Sequence, residues 1–389
     1  MDMGTFCTMR IGRRLSEELL CFRQKNVKAG ICYALTFSLA VCANIAPAEE
    51  VLVYSGTSDA SAAVAVTKDT FIVADDENNV LRAYKIDNAV SGRSRTGTPP
   101  VFSYDTTAFL RIDPEHPEAD IEGATMIGQR IYWIGSHGRN KDGKMRPNRY
   151  RFFATTIKVE NGSVAIRPVG EPCKTLVHRL LTTETMRHLG LDEAARFDAD
   201  LSKREREKLA PKEEGLNIEA LCASADGNIL YIGFRNPRPH GKALAVPLKN
   251  AEAVIERQEL PDFGEPILWD LKGLGIRSME YSRFHEAYFV IAGCPDESRN
   301  FALYRWSGRK DEPPALVRQL NQGNLGPEAL VPFGNSNRLL LLSDDGALSV
   351  KVAGPHECVE GEYRKDGTCE NKYLLDPNKK TFRGTWLVP

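Results

Sequence analysis

The sequence predicts an all-β fold: a β-propeller of five blades, with six as the alternative. Three features lead there. Five segments of the 389-residue chain align with one another. Each carries a very apolar run with period-2 alternation and β-branched or aromatic residues, which favours strand over helix. Their spacing is near the roughly 50–60 residues of a four-stranded blade.

In chain order the segments are "DASAAVAVTKDTFIVADDEN" from Asp59, "DIEGATMIGQRIYWIGSHGRN" from Asp120 and "NIEALCASADGNILYIGFRNP" from Asn217. "SMEYSRFHEAYFVIAGCPDES" from Ser278 and "GPEALVPFGNSNRLLLLSDDG" from Gly326 complete the set. Each reads as an acid, a short strand of small or apolar residues, a polar turn, a second strand and a polar loop. Further strands follow each pair: "VLRAYKI", "YRFFATTIKV", "KALAVPL", "FALYRW" and "ALSVKV". The meander then supplies an outer strand. "VLVYS" at Val51 and the C-terminal "TFRGTWLVP" are each able to zip the last blade to the first. The long gap between the second and third segments holds a Leu-, Ala-, Glu-, Lys- and Arg-rich stretch, read as a helical insertion over about 174–212.

Antiparallel topology brings the start of each inner strand and the end of the second strand to one face. Five acids, Asp59, Glu122, Glu219, Glu280 and Glu328, are therefore expected to ring the axis at one mouth. Converging carboxylates persist if a cation neutralises them, if arginine pairs with them, or if some are protonated. Calcium, with its six to eight oxygen ligands, suits such a ring better than zinc. The alternative is structural: the acids bond neighbouring backbone or pair with Arg277 or Arg235.

Basic residues cluster in "SHGRNKDGKMRPNRYR" and "FRNPRPHGK". Arg139 and Arg235 are the candidates to hold an anion, since guanidinium forks match phosphate and carboxylate. His137, at a strand end, is the candidate general acid/base. Solvated hairpin loops are the alternative for these runs. The "DDEN" loop, Asp75, Asp76, Glu77 and Asn78, has the acids to bind a metal alone, but it misses the EF-hand spacing and reads as an exposed acidic hairpin.

The first 48 residues stand apart. Six cations precede the apolar run "AGICYALTFSLAVCANIAPA", which ends in Ala46-Pro47-Ala48. This pattern is a secretory signal peptide, with a single membrane anchor as the alternative. Residues 49–389 then form the propeller domain, exported to the periplasm or secreted, free of the membrane after cleavage and monomeric. The formal net charge of −1 gives no global field for nucleic acid. Of the five cysteines beyond the signal, Cys358 and Cys369 flank a polar, Gly-containing segment and are the candidate disulfide pair.

The runs "EADIEGA", "YWIGSHGRN", "LNIEAL", "GFRNP" and "GLGIRS" resemble those of an uncharacterised bacterial family known only as a domain of unknown function. The likeness spans about Val51 to Leu348 and implies an exported β-propeller rather than a reaction. Ala220 departs from it, standing where glycine is more usual; its Cβ is expected to narrow the axial space. The acidic strand starts also resemble phytase-like and esterase-like propellers and the calcium-activated nucleotidases. Those likenesses imply a metal-dependent hydrolase of phosphate esters or related anionic substrates, with Ca2+ as cofactor. The other reading is a non-enzymatic scaffold for an envelope protein or glycan.

Overall fold

Each of the five aligned segments folds as the inner hairpin of a separate sheet. The structure, a computed structural model, describes residues 50–86, 90–91, 97–160, 163–197, 199–296, 298–321 and 324–389. The signal-peptide expectation for 1–48 lies outside the described residues. Among those residues no helix is long and apolar enough to cross a membrane.

Blade 1 is β2 (Ala62–Ala65), β3 (Thr70–Ala74), β4 (Val80–Lys85) and β6 (Phe102–Asp105). Blade 2 is β7 (Ile121–Ile127), β8 (Arg130–Gly135), β9 (Phe152–Glu160) and β10 (Ser163–Cys173). Blade 3 is β11 (Asn217–Ala223), β12 (Leu230–Asn236), β13 (Ala243–Leu248) and β14 (Ile267–Trp269). Blade 4 is β15 (Gly275–Ser282), β16 (Ala287–Gly293), β17 (Phe301–Trp306) and β18 (Ala315–Gln319). Blade 5 begins with β19 (Pro327–Pro332) and β20 (Leu339–Ser343). The innermost strands β2, β7, β11, β15 and β19 pack in a closed cycle. Five blades are thus the observed number.

Blade 5 joins the two ends of the domain. The C-terminal strand β23 (Thr381–Leu387) pairs with β20 on one side and β1 (Val51–Ser55) on the other, with β5 (Val90–Ser91) at the edge. Both expected zipper strands therefore serve one blade. "ALSVKV" is displaced by this arrangement. Its strand β21 (Ser349–Lys351) pairs only with β22 (Thr368–Glu370), in a small separate sheet.

The second strands Thr70–Ala74, Ala287–Gly293 and Leu339–Ser343 are buried along their whole length, and those of blades 2 and 3 at all but one residue. They lie between two neighbouring blades, so both faces need apolar residues. The outer strand β10 alternates exposed and buried positions from Ser163 to Arg167. The core sits between blades: Ile72, Trp133 and Phe153 between blades 1 and 2, and Met279, Trp269 and Trp306 between blades 3 and 4. Tyr54 stacks on Phe382 at 5.1 Å and meets Phe71 edge-on at 5.3 Å where blade 5 closes on blade 1.

After α1 (Thr107–Leu110) in blade 1, the insertion between blades 2 and 3 is helical as expected but broken into four pieces. These are α2 (Leu176–Leu181), α3 (Glu184–His188), α4 (Leu191–Ala195) and α5 (Lys203–Lys208). Gly190 at φ 78° and Arg196 at φ 40° turn the chain out of the helical region. Ser202 and Glu205 restart it with a reciprocal capping box. Leu176, Val177, Leu180, Met186 and Leu191 bury against Phe152 and Ile218, whereas α5 buries nothing.

Candidate functional site

A one-residue bulge in the inner strand of four blades builds the site. In β7, Ile121 pairs with Gly135 and Gly123 with Ile134, leaving Glu122 as the extra residue. The same step leaves Glu219 extra in β11, Arg277 in β15 and Glu328 in β19. A bulge re-aims the side chain it leaves unpaired. Here the re-aimed groups all line one axial cavity of about 1150 Å³. A small residue must follow each. A Cβ on Gly123 would sit 2.8 Å from the backbone nitrogen of Leu221 in the next inner strand.

Register then aligns two further tiers. Two residues before the bulge stand Asp59, Asp120, Asn217, Gly275 and Gly326, with Ser61 in the bulge place of blade 1. At the end of the second strand stand Asp76, Ser136, Arg235, Gly293 and Asp344. The cavity wall carries both signs of charge. Asp59, Asp76, Asp120, Glu122, Glu219, Glu328 and Asp344 line it with Arg149, Arg235 and Arg277.

The arginines are engaged. Arg277 donates to Glu219 at 2.9 Å and to Glu328; Arg235 donates to Glu219 Oε1 at 2.8 Å and to the Pro295 carbonyl at 2.6 Å. Arg149 donates to Asp120 Oδ2 at 2.9 Å and to Glu118 at 3.0 Å. The structural alternative thus describes Glu219 and Glu328. Among the described residues, Asp59, Asp76 and Glu122 form no ion pair. Asp59 is 6% exposed, yet its Oδ1 has no hydrogen-bond partner; nor has Asp76 Oδ1. Asp76, Asp120 and Glu122 offer three carboxylate oxygens within 4.8 Å of one another.

Burial, reinforced by mutual repulsion, holds the Asp59, Asp76 and Glu122 carboxyls well above their usual range. Asp120 is also raised by burial, which outweighs the pull of Arg149. Glu328 is pushed up to about 7 by burial against the opposing pull of Arg277. Desolvated carboxyls without a counter-charge must take up protons or a cation. The oxygen-only donor set fits a hard cation such as calcium.

Several expected site residues lie elsewhere. Glu280 is regularly paired with Phe289, three residues beyond the bulge, outside the cavity lining; burial alone raises its pKa. Arg277 takes the ring place that sequence alignment had given to Glu280. Asp59 does line the cavity, but in the tier of Asp120 rather than that of Glu122. His137 is buried one residue past the tier position, turned away from the mouth at φ 52°. Its Nδ1 lies 2.9 Å from the Gly135 carbonyl and its ring edge meets Tyr150, while burial pushes its pKa down to about 4. Arg139 is also buried, donating to the Gly143, Ala195 and Arg196 carbonyls, and so anchors the insertion. Ala220 packs between blades 3 and 4 rather than on the axis.

Asp76, Asp120 and Asp344, none of them among the five expected acids, also line the cavity. The "DDEN" loop is not an exposed hairpin: Asp75 is buried and Asp76 lines the cavity. The signal available in sequence was the triplet of apolar, charged and small residues, Ile-Glu-Gly, Ile-Glu-Ala, Ile-Arg-Ser and Pro-Glu-Ala. Aligned on it, the flanking positions fall into tiers.

A family model described as "Protein of unknown function (DUF3616)" matches residues 59–338. A search of curated proteins finds no match. Among solved structures, the chain is similar to the β-propeller domain of Myceliophteria thermophila Cps50 (Swd1), with 10% identity and a TM-score of 0.35, covering 88% of this chain and 100% of that one. It is also similar to hydrazine synthase of Kuenenia stuttgartiensis, with 9% identity and a TM-score of 0.34, covering 76% of this chain and 59% of that one.

Proposed function

The chain belongs to the DUF3616 family of proteins of unknown function, and from that premise we propose that it is a calcium-dependent propeller acting on a small anionic substrate, as a hydrolase of phosphate esters or related compounds. One observation carries this reading. Asp76, Asp120 and Glu122 bring three carboxylate oxygens within 4.8 Å beside the unpartnered Oδ1 of Asp59. A cation held there would face the open cavity, with room in its shell for a substrate oxygen or a water. Bound calcium would supply Lewis-acid polarisation of the ester and orient the attacking water.

The chain's own groups fill the other roles. Arg204 and Lys208 of α5 and Arg299 of blade 4 line the cavity rim and supply positive charge for the anion. With His137 turned away, proton transfer falls to a wall carboxyl, and Glu328, at about 7, exchanges a proton near neutrality. The reading places the protein outside the cytoplasm as a processed monomer. Weak extracellular calcium sites operate at about 10⁻⁴–10⁻³ M.

The test is hydrolysis of a panel of phosphomonoesters and phosphodiesters with 2 mM calcium as an assay condition, or with EDTA. Calcium-dependent turnover is expected, falling about 10²-fold or more in Glu122→Gln. Calcium-dependent binding of the same esters without turnover would favour the non-enzymatic scaffold. Turnover indifferent to EDTA and to Glu122→Gln would overturn the assignment.

A further inference from the structure

The small sheet of β21 and β22 belongs to a segment, residues 349–375, that departs from blade 5 and returns to it. Its buried apolar core is only Cys358, Cys369 and Leu374, with Val350, Val352 and Tyr373 packed partly against them. So few apolar groups rarely hold a segment of this length without a crosslink or a metal. The two thiols are 3% and 0% exposed, both are free, and they lie together in that core. The backbone sets this contact: Cys369 pairs with Val350 in the sheet, and Cys358 bridges Leu374.

The segment also reaches the mouth. Three residues after Cys369, Lys372 lines the axial cavity and donates to Glu77 Oε1 at 3.1 Å, in the loop that carries Asp76. Asn371 fixes the same turn by donating to the Asp345 carbonyl at 3.0 Å and the Thr381 carbonyl at 2.6 Å.

We propose that Cys358 and Cys369 form a disulfide that clamps this segment and holds the Lys372 turn against the cavity mouth. One thiolate attacks the disulfide of a small-molecule or protein oxidant, forming a mixed disulfide and releasing one oxidant thiol. The second thiolate then displaces the other oxidant thiol. Two protons and two electrons leave the cysteine pair, and the oxidant disulfide is reduced to two thiols. The proposal is independent of the cation reading.

The test equilibrates the full-length protein in a glutathione buffer poised at about −180 to −200 mV, then denatures it in iodoacetamide and maps its peptides. The expected result is a 358–369 crosslinked peptide, with Cys173, Cys222 and Cys294 alkylated. Alkylation of both Cys358 and Cys369, or capture of either as a glutathione adduct or another pairing, overturns it. Limited trypsin digestion tests the clamp. Cleavage near Arg364 and Lys365 is expected to be about tenfold faster in reduced protein and in Cys358→Ser/Cys369→Ser than in oxidised protein. Equal rates would show that the bond, even if formed, clamps nothing.

Discussion

Replacing Arg277 with methionine is expected to cost the propeller about 3–5 kcal/mol in urea unfolding at pH 8. The guanidinium comes from the blade 4 bulge and bonds Glu219 from blade 3 and Glu328 from blade 5. All three side chains are at least nine-tenths buried by residue exposure. Methionine fills much of the volume but leaves two carboxylates facing each other out of water. Arg235 continues to serve Glu219, so Glu328 bears most of the loss. The cost therefore shrinks at pH 5, where Glu328 protonates, and shrinks in the double variant Arg277→Met/Glu328→Gln. A cost that is the same at both pH values would show that Arg277 acts through packing and not through charge.

That arginine also shows how much of this protein was legible in sequence. Blade number, the strand order of blades 1 to 4 and the position of the insertion follow from apolar runs that must be buried on two faces, and these survive a loose alignment. The axial residues do not. Glu122, Glu219, Arg277 and Glu328 each sit at a bulge, where one extra residue changes which side chain points inward, and acid-to-acid alignment hides that step. In blade 4 it selected Glu280 over Arg277, which stands three residues earlier and has the opposite charge. His137 failed for a related reason, since alternation turns the residue beyond Ser136 away from the axis. Asp76 and Asp120 looked like ordinary loop acids because their meeting depends on two different blades. Arg277 pairs with Glu219 and Glu328, and Arg235 pairs with Glu219, as the structural alternative expects; the cation reading then rests on a different set of carboxylates.

Protein stripped by EDTA is expected to lose stability as pH rises from 5 to 8, and added calcium is expected to restore it. Asp59, Asp76 and Glu122 have folded pKa values raised well above their unfolded values, and Glu328 titrates at about 7. A carboxyl raised on folding contributes stability that is fully present below its unfolded pKa and is lost as pH climbs through its folded one. His137 works in the opposite sense. Its folded pKa of about 4 makes its contribution full above the unfolded value near 6.5, and that contribution declines as pH falls toward 4. The limb between pH 7 and 8 therefore reports the carboxyls alone. At a hundredfold excess over Kd, calcium contributes about 2.7 kcal/mol, a rise in Tm on the order of 5 °C. Glu122→Gln removes one buried charge, so the variant is expected to be more stable than the parent in EDTA at pH 8 and to gain little from calcium. Melting curves at pH 5, 7 and 8, with and without the ion, give all of these values. A stripped protein equally stable at pH 7 and 8, and unmoved by calcium, would mean that the wall carboxyls are already balanced.

The convergence of Asp76, Asp120 and Glu122 is most directly tested by growing crystals with manganese in place of calcium and measuring anomalous scattering at a long X-ray wavelength. A peak is expected on the blade 1 and blade 2 side of the axial cavity, within bonding distance of all three carboxylates and absent from Glu122→Gln crystals. Density for a water, a lysine ammonium or nothing at that point, with the three carboxyls splayed apart, would contradict it.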